Sequence, residues 1–166
     1  MKRLFAAACL AVAASGCVVE PRTPSTSETP SFYRSLAQSD AVVDSGTARA
    51  MISAYRRNKG LEPVALDPDL QAVAQSEAQA MAAAEKPASA DAVKGRLSRE
   101  GFTGPGANLS AGYHTLAEAF SGWRDSPEHN RVLLDPKASR MGIATAYAPG
   151  SKYKVYWALV TASGRS

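Results

Sequence analysis

Six consecutive residues near the C-terminus, Val155-Tyr156-Trp157-Ala158-Leu159-Val160, are apolar at every position. A strand with one face in water alternates apolar and polar side chains, whereas an unbroken apolar strand is covered on both faces. This run therefore demands packing layers above and below a sheet. The segment before it, Met141 to Tyr147, alternates: Met141, Ile143, Thr145 and Tyr147 share one face, and Gly142, Ala144 and Ala146 the other. It reads as a strand whose small-residue face lets a helix lie close. Pro149-Gly150 turns the chain between the two strands, and Asn108-Leu109-Ser110 offers a third.

The covering layers must come from the first two-thirds of the chain. Ala48, Met51, Ile52 and Tyr55 fall at helical spacing and Gly60 supplies a stop. Leu61 to Leu66 reads as a short turn that brings Val64 and Leu66 inward. Asp67-Pro68 is a cap-plus-proline start, opening a helix with Leu70, Val73, Ala74, Ala78 and Met81 on one stripe. Its many alanines point to very close packing. Pro87 ends it, and a shorter helix over 90–99 is closed by Gly101. Helices early, a hairpin late and a doubly covered central strand predict an α+β fold, a three-layer α-β-α sandwich with a small antiparallel sheet.

The N-terminus reads as an export signal. Lys2 and Arg3 form a positive start, and the apolar run from Leu4 to Ala14 is too short to cross a bilayer. It ends in Ala14-Ser15-Gly16-Cys17, which resembles a bacterial lipobox with Cys17 as the acylated first residue. The expected organisation is a signal peptide with lipobox over 1–16, a Pro/Ser/Thr-rich tether over 17–40, a folded domain over 41–162 and a tail over 163–166. The two cysteines are thereby accounted for, since Cys9 leaves with the signal and Cys17 carries lipid. No disulfide, thiolate metal site or cysteine nucleophile is expected.

Loss of Lys2 and Arg3 lowers the net charge from +4 to about +2. Such a balance gives no reason to expect nucleic acid. Arg56-Arg57 with Lys59 form the one basic cluster, read as the solvated end of a helix whose dipole they complement.

Gly112 to Leu134 carries the chemistry. Trp123 is followed by Ser126-Pro127, a cap and a first helical residue, and then by His129 in the first helical turn. There the positive end of the helix dipole disfavours an imidazolium, and a neutral imidazole can bind a metal or take a proton. Ser126 is read as a structural cap rather than a nucleophile, because residues three apart at a helix start do not make a nucleophile–base–orienter set.

These residues resemble the bacterial branch of the CAP superfamily (cysteine-rich secretory, antigen 5 and pathogenesis-related-1 proteins). The resemblance rests on pieces in the family's order between Ile52 and Val160. They are Arg57…Gly60-Leu61…Pro63-Val64…Leu70, the alanine-rich helix with Met81, Arg96…Gly101-Phe102 and Asn108-Leu109 with Gly112. Gly122-Trp123…Ser126-Pro127-Glu128-His129, Met141-Gly142-Ile143 and Tyr156-Trp157 follow. It implies an α-β-α sandwich and a cleft that joins two histidines and acidic residues, which in some members hold a divalent cation.

This chain departs from that pattern. His129 matches the second histidine, but no histidine lies between Met81 and Arg96, where the first belongs. The family's Glu-Asn pair reads Ala107-Asn108. A catalytic zinc takes at least three protein ligands. Glu128, adjacent to His129, diverges from it by about 100° around the helix. The remaining candidates are Glu118, on the preceding helix, and His114, in the loop before it. No metal or other cofactor is expected, with a His114/His129 divalent site as the lesser alternative.

The candidate cleft residues are thus His129, Glu118, Asn108, His114, Ser126 and Trp123. Asn108 is expected to tie its strand to a neighbouring loop. His129 either hydrogen-bonds across a partly buried cleft or serves a ligand; the residues leave both open. The expected protein is a monomeric, lipid-anchored lipoprotein of the bacterial cell envelope. It meets the membrane through Cys17 and binds a lipid, a wall fragment or a protein partner without catalysis. A hydrolase using His129 and a purely structural envelope protein are the alternatives.

Overall fold

A computed structural model describes residues 28–166; the expected signal peptide and Cys17 lie outside the described residues. The elements run in the order 3-10 turn Ser31–Tyr33, α1 (Ser45–Arg57), β1 (Ala65–Leu66), α2 (Pro68–Ala84), α3 (Ala90–Arg99) and β2 (Phe102–Thr103). Then follow β3 (Gly106–Ala111), α4 (Leu116–Asp125), α5 (Pro127–Leu133), β4 (Arg140–Tyr147), β5 (Val155–Ala162) and β6 (Gly164–Arg165). The main sheet has the order β1-β4-β5-β3, antiparallel except for the two-residue parallel pairing of β1 with β4.

Strand β5 is buried along its whole length, and its alternation divides the core in two. Val155, Trp157 and Leu159 join Met141 and Ile143 of β4 against α1, α4 and α5. Tyr156, Ala158 and Val160 join Ala144 of β4 against α2 and α3. This is the expected α-β-α sandwich. The stripe Leu70, Val73, Ala74, Ala78 and Met81 is buried as expected. So is the reason for its alanines: α2 crosses β4 so closely that a Cβ on Gly142 would overlap the backbone of Leu70 and Gln71. That approach brings the Gln71 carboxamide to the strand. Its Nε2 donates to Ile143 O (2.7 Å) and its Oε1 accepts from Ile143 N (3.0 Å), replacing the neighbour that β1 is too short to provide. Asp67 caps α2 through the amides of Asp69 and Leu70 and pairs with Arg140 at 2.9 Å.

Four expectations need correction. Leu66 does not turn inward with Val64: on the two-residue edge strand β1 it remains 40 % exposed. The segment 28–40 is not a tether, because Leu36 is buried beside Val43, Phe32 packs against the same core, and Leu36 N donates to His114 O. The end of the chain is not a loose tail either, since β6 pairs antiparallel with β2.

The largest correction concerns Arg56, expected in solvent and found fully buried. It continues the helical stripe Ala48–Ile52 at the i+4 position, so its stem points into the core. Its guanidinium is held by main-chain carbonyls. Nε donates to Glu62 O (2.7 Å), Nη1 to Leu133 O (2.8 Å) and Asp135 O (2.9 Å), and Nη2 to Ala138 O (2.9 Å). Burial lowers its pKa and Asp135 opposes the shift; an arginine remains charged regardless.

Candidate functional site

Helices α4 and α5 meet at Ser126, which is the C-cap of one and the N-cap of the other. Its backbone serves both ends: Ser126 N donates to Gly122 O, and Ser126 O accepts from Asn130 N (2.8 Å). The hydroxyl makes no capping bond, contrary to expectation. At the other end of α4, Thr115 Oγ1 accepts from Glu118 N (3.2 Å), and Glu118 Oε2 accepts from His114 N (2.7 Å). This is a capping-box arrangement reaching one residue further back than usual. Glu118 and His114 are therefore exposed partners in closing a helix start.

A cleft of about 910 Å³ opens at the β3 edge of the sheet, where the two helical layers approach each other. It is lined by the start of α3 (residues 89–91 and Lys94), by residues 105–107 at the start of β3, and by residues 127–132 and 134–136 of α5 and its following turn. The floor at Gly106 and Ala107 carries no polar side chain. Three prolines, Val132 and Leu134 supply apolar wall, and the charges of Asp91, Lys94, Glu128, Arg131 and Asp135 stand around it. Asp91 and Lys94 are paired at 2.6 Å.

His129 lies in this cleft, half-buried. Desolvation lowers its pKa below the ordinary imidazole value, partly opposed by Glu128. The ring is thus neutral at neutral pH, able to give one hydrogen bond and accept another. Of the other residues singled out from the sequence, Glu118, His114, Ser126, Trp123 and Asn108 do not line the cleft. Trp123 is a core residue: fully buried, it donates from Nε1 to Ser110 Oγ (3.1 Å) and packs edge-on against Trp157. Asn108 is fully buried beneath α5, and its Nδ2 donates to His129 O (2.9 Å), so it ties β3 to a helix rather than to a loop.

The donors do not fit a divalent cation. Ala107 stands where the family's carboxylate would, Asp91 is engaged by Lys94, and among the described residues no three His, Cys, Asp or Glu side chains converge.

Sequence reasoning missed Tyr55 and Arg56 as supports of the cleft. Tyr55 Oη donates to Asn130 Oδ1 (3.0 Å), and Arg56 holds the turn that forms the cleft's lip. Their signal was present, since Arg56 falls on the stripe of Ala48 and Ile52, but its charge outweighed its position.

Comparison with known proteins agrees with the geometry. The model of the cysteine-rich secretory protein family matches residues 49–161. Among solved structures, a cysteine-rich secretory protein from Staphylococcus aureus is similar with a TM-score of 0.59 at 20% identity, over 71% of this chain and 37% of its own. An extracellular SCP-domain protein from Bacillus anthracis gives 0.60 at 21%, over 72% and 40%. An outer surface protein from Borrelia burgdorferi gives 0.64 at 16%, over 74% and 93%. The chain spans less than half the length of the first two, and at these identities the likeness is one of fold. No curated protein sequence matches it.

Proposed function

The chain belongs to the cysteine-rich secretory protein family, and from that premise we propose that it is a cell-envelope protein whose cleft binds a small amphipathic ligand without catalysis. The observation that carries this reading is His129. A neutral imidazole lines a cleft of about 910 Å³ in which Ala107 stands in place of the family's carboxylate and the nearby Asp91 is engaged by Lys94. Such a ring offers a donor and an acceptor to a ligand's polar end, while the proline, valine and leucine wall suits its apolar part. A lipid has this chemistry in full, and a wall fragment shares its polar, hydrogen-bonding part. The similarity to an extracellular protein and to an outer surface protein supports an envelope location. The lipobox-like Ala14-Ser15-Gly16-Cys17 supports anchoring through an acylated Cys17.

Thermal unfolding of the domain with a short-chain phospholipid, and separately with soluble muropeptides, tests the reading. A ligand selective for the native state at a hundred times its Kd adds about 2.7 kcal/mol of stability, which raises the midpoint by several degrees. The shift should be lost in His129→Ala. No shift with either probe would refute binding, and hydrolysis of either that depends on His129 would favour the hydrolase reading. Loss of membrane fractionation in Cys17→Ala tests the anchor.

A further inference from the structure

Helix α5 has seven residues and no side-chain cap, and a helix that short is not stable alone. Three side chains from other elements hold it: Tyr55 bonds Asn130 Oδ1, Arg56 bonds Leu133 O, and Asn108 bonds His129 O. The last alone comes from the sheet, and it lands on the residue whose ring enters the cleft. Asn108 is also anomalous where it stands. Its cross-strand partner Leu159 belongs to the apolar core, and its own Oδ1, fully buried, has no partner among the described residues. An unpaired buried oxygen is costly, and an apolar side chain would avoid the cost. The asparagine makes sense through the bond at its other end.

We propose that Asn108 is a positioning residue for His129: its carboxamide fixes the first turn of α5 from the sheet, and so sets where the imidazole stands in the cleft. This deepens the binding reading and rests on it only for the importance of the ring. Its test uses no ligand, so the two can fail separately.

The test is the NMR titration of the His129 ring in the wild type, Asn108→Ser, Asn108→Asp and Ser110→Ala. Ser110 occupies the same strand and face but bonds Trp123, so its variant reports general loosening of the core. The charged groups around the ring, Glu128 on its own helix, Asp91 and Lys94 on α3, and Arg131 and Asp135 beyond, are common to all four proteins.

Ser110→Ala should keep the wild-type midpoint. Asn108→Ser should raise it toward the ordinary imidazole value, as the released turn lets water reach the ring. Asn108→Asp should disturb the ring most while ionised and recover on acidification, because only the protonated carboxyl can donate to His129 O. A folded Asn108→Ser with the wild-type midpoint would overturn the proposal. So would an equal shift in Ser110→Ala. Should the Asn108 variants not fold, the wild type still decides. One Asn108 carboxamide proton must be protected from exchange and close to α5, and a freely exchanging carboxamide refutes the assignment.

Discussion

Replacing Arg56 by lysine keeps the charge and most of the stem while removing the planar fork, which makes it a sharp test of how the cleft's lip is built. The guanidinium gives four hydrogen bonds to carbonyls of Glu62, Leu133, Asp135 and Ala138. These lie on two separate segments, and the ammonium of lysine is a single point with three hydrogens. Reaching two of the four carbonyls leaves two lost. A hydrogen bond from a charged donor contributes about 1.5–3 kcal/mol, so the expected loss is about 3–6 kcal/mol. Against a whole-domain stability of about 5–15 kcal/mol, that is severe but survivable. Urea unfolding should show a large fall in midpoint with an unchanged slope, the signature of altered stability without altered compactness. Hydrogen exchange should rise first at Leu134 and Ala138, whose amides bond within the held turn. Arg56→Met, with no donors, should be worse than Arg56→Lys. A loss below about 1 kcal/mol in the lysine variant would refute the claim that directional bonds, rather than buried stem and charge, hold this turn.

Gly142→Ala should cost more than about 3 kcal/mol, because the new methyl meets main-chain atoms of Leu70 and Gln71 that cannot turn aside; a mild thermal shift would refute that. Trp123→Phe should cost upwards of about 3 kcal/mol, through the void left at a fully buried site and the Ser110 hydroxyl left without its indole partner; a double-mutant cycle with Ser110→Ala should recover only the hydrogen-bond part, about 1–3 kcal/mol, as coupling. His129 has a folded-state pKa below its ordinary value, so below the unfolded value the unfolded chain takes the proton first. Its contribution is therefore a loss of stability as pH falls from about 7 through 6, absent in His129→Gln; wild-type and variant profiles that run parallel would contradict it.

Periodicity carried the architecture. The unbroken run of β5, the small-residue face of β4 and the alanine stripe of α2 each have one cheap arrangement, and that arrangement is the one observed. The site was less legible. His129 is a cleft residue by virtue of a helix start that the sequence marks plainly. Its surroundings depend on tertiary bonds between residues 21 to 82 positions apart, from Asn108–His129 to Arg56–Ala138, and no local pattern announces those. Arg56 shows the limit best: composition places an arginine in water, whereas a helical stripe with four carbonyls at its end places it in the core. Ser126 shows the reverse, a favoured capping residue whose hydroxyl makes no capping bond while its backbone joins the ends of two helices.

The close crossing at Gly142 also distributes mechanical freedom across the molecule. Backbone touches backbone there, and the Gln71 carboxamide is stitched to Ile143 on both sides, so α2 and β4 have no room to slide, tilt or breathe apart. The opposite margin, at β3, is bordered by a seven-residue helix that is tied down by single bonds. Amide exchange should therefore be faster along α5 at that margin than along α2 and β4. A guest of imperfect fit would be accommodated there by give in the wall while the far side acts as the anvil.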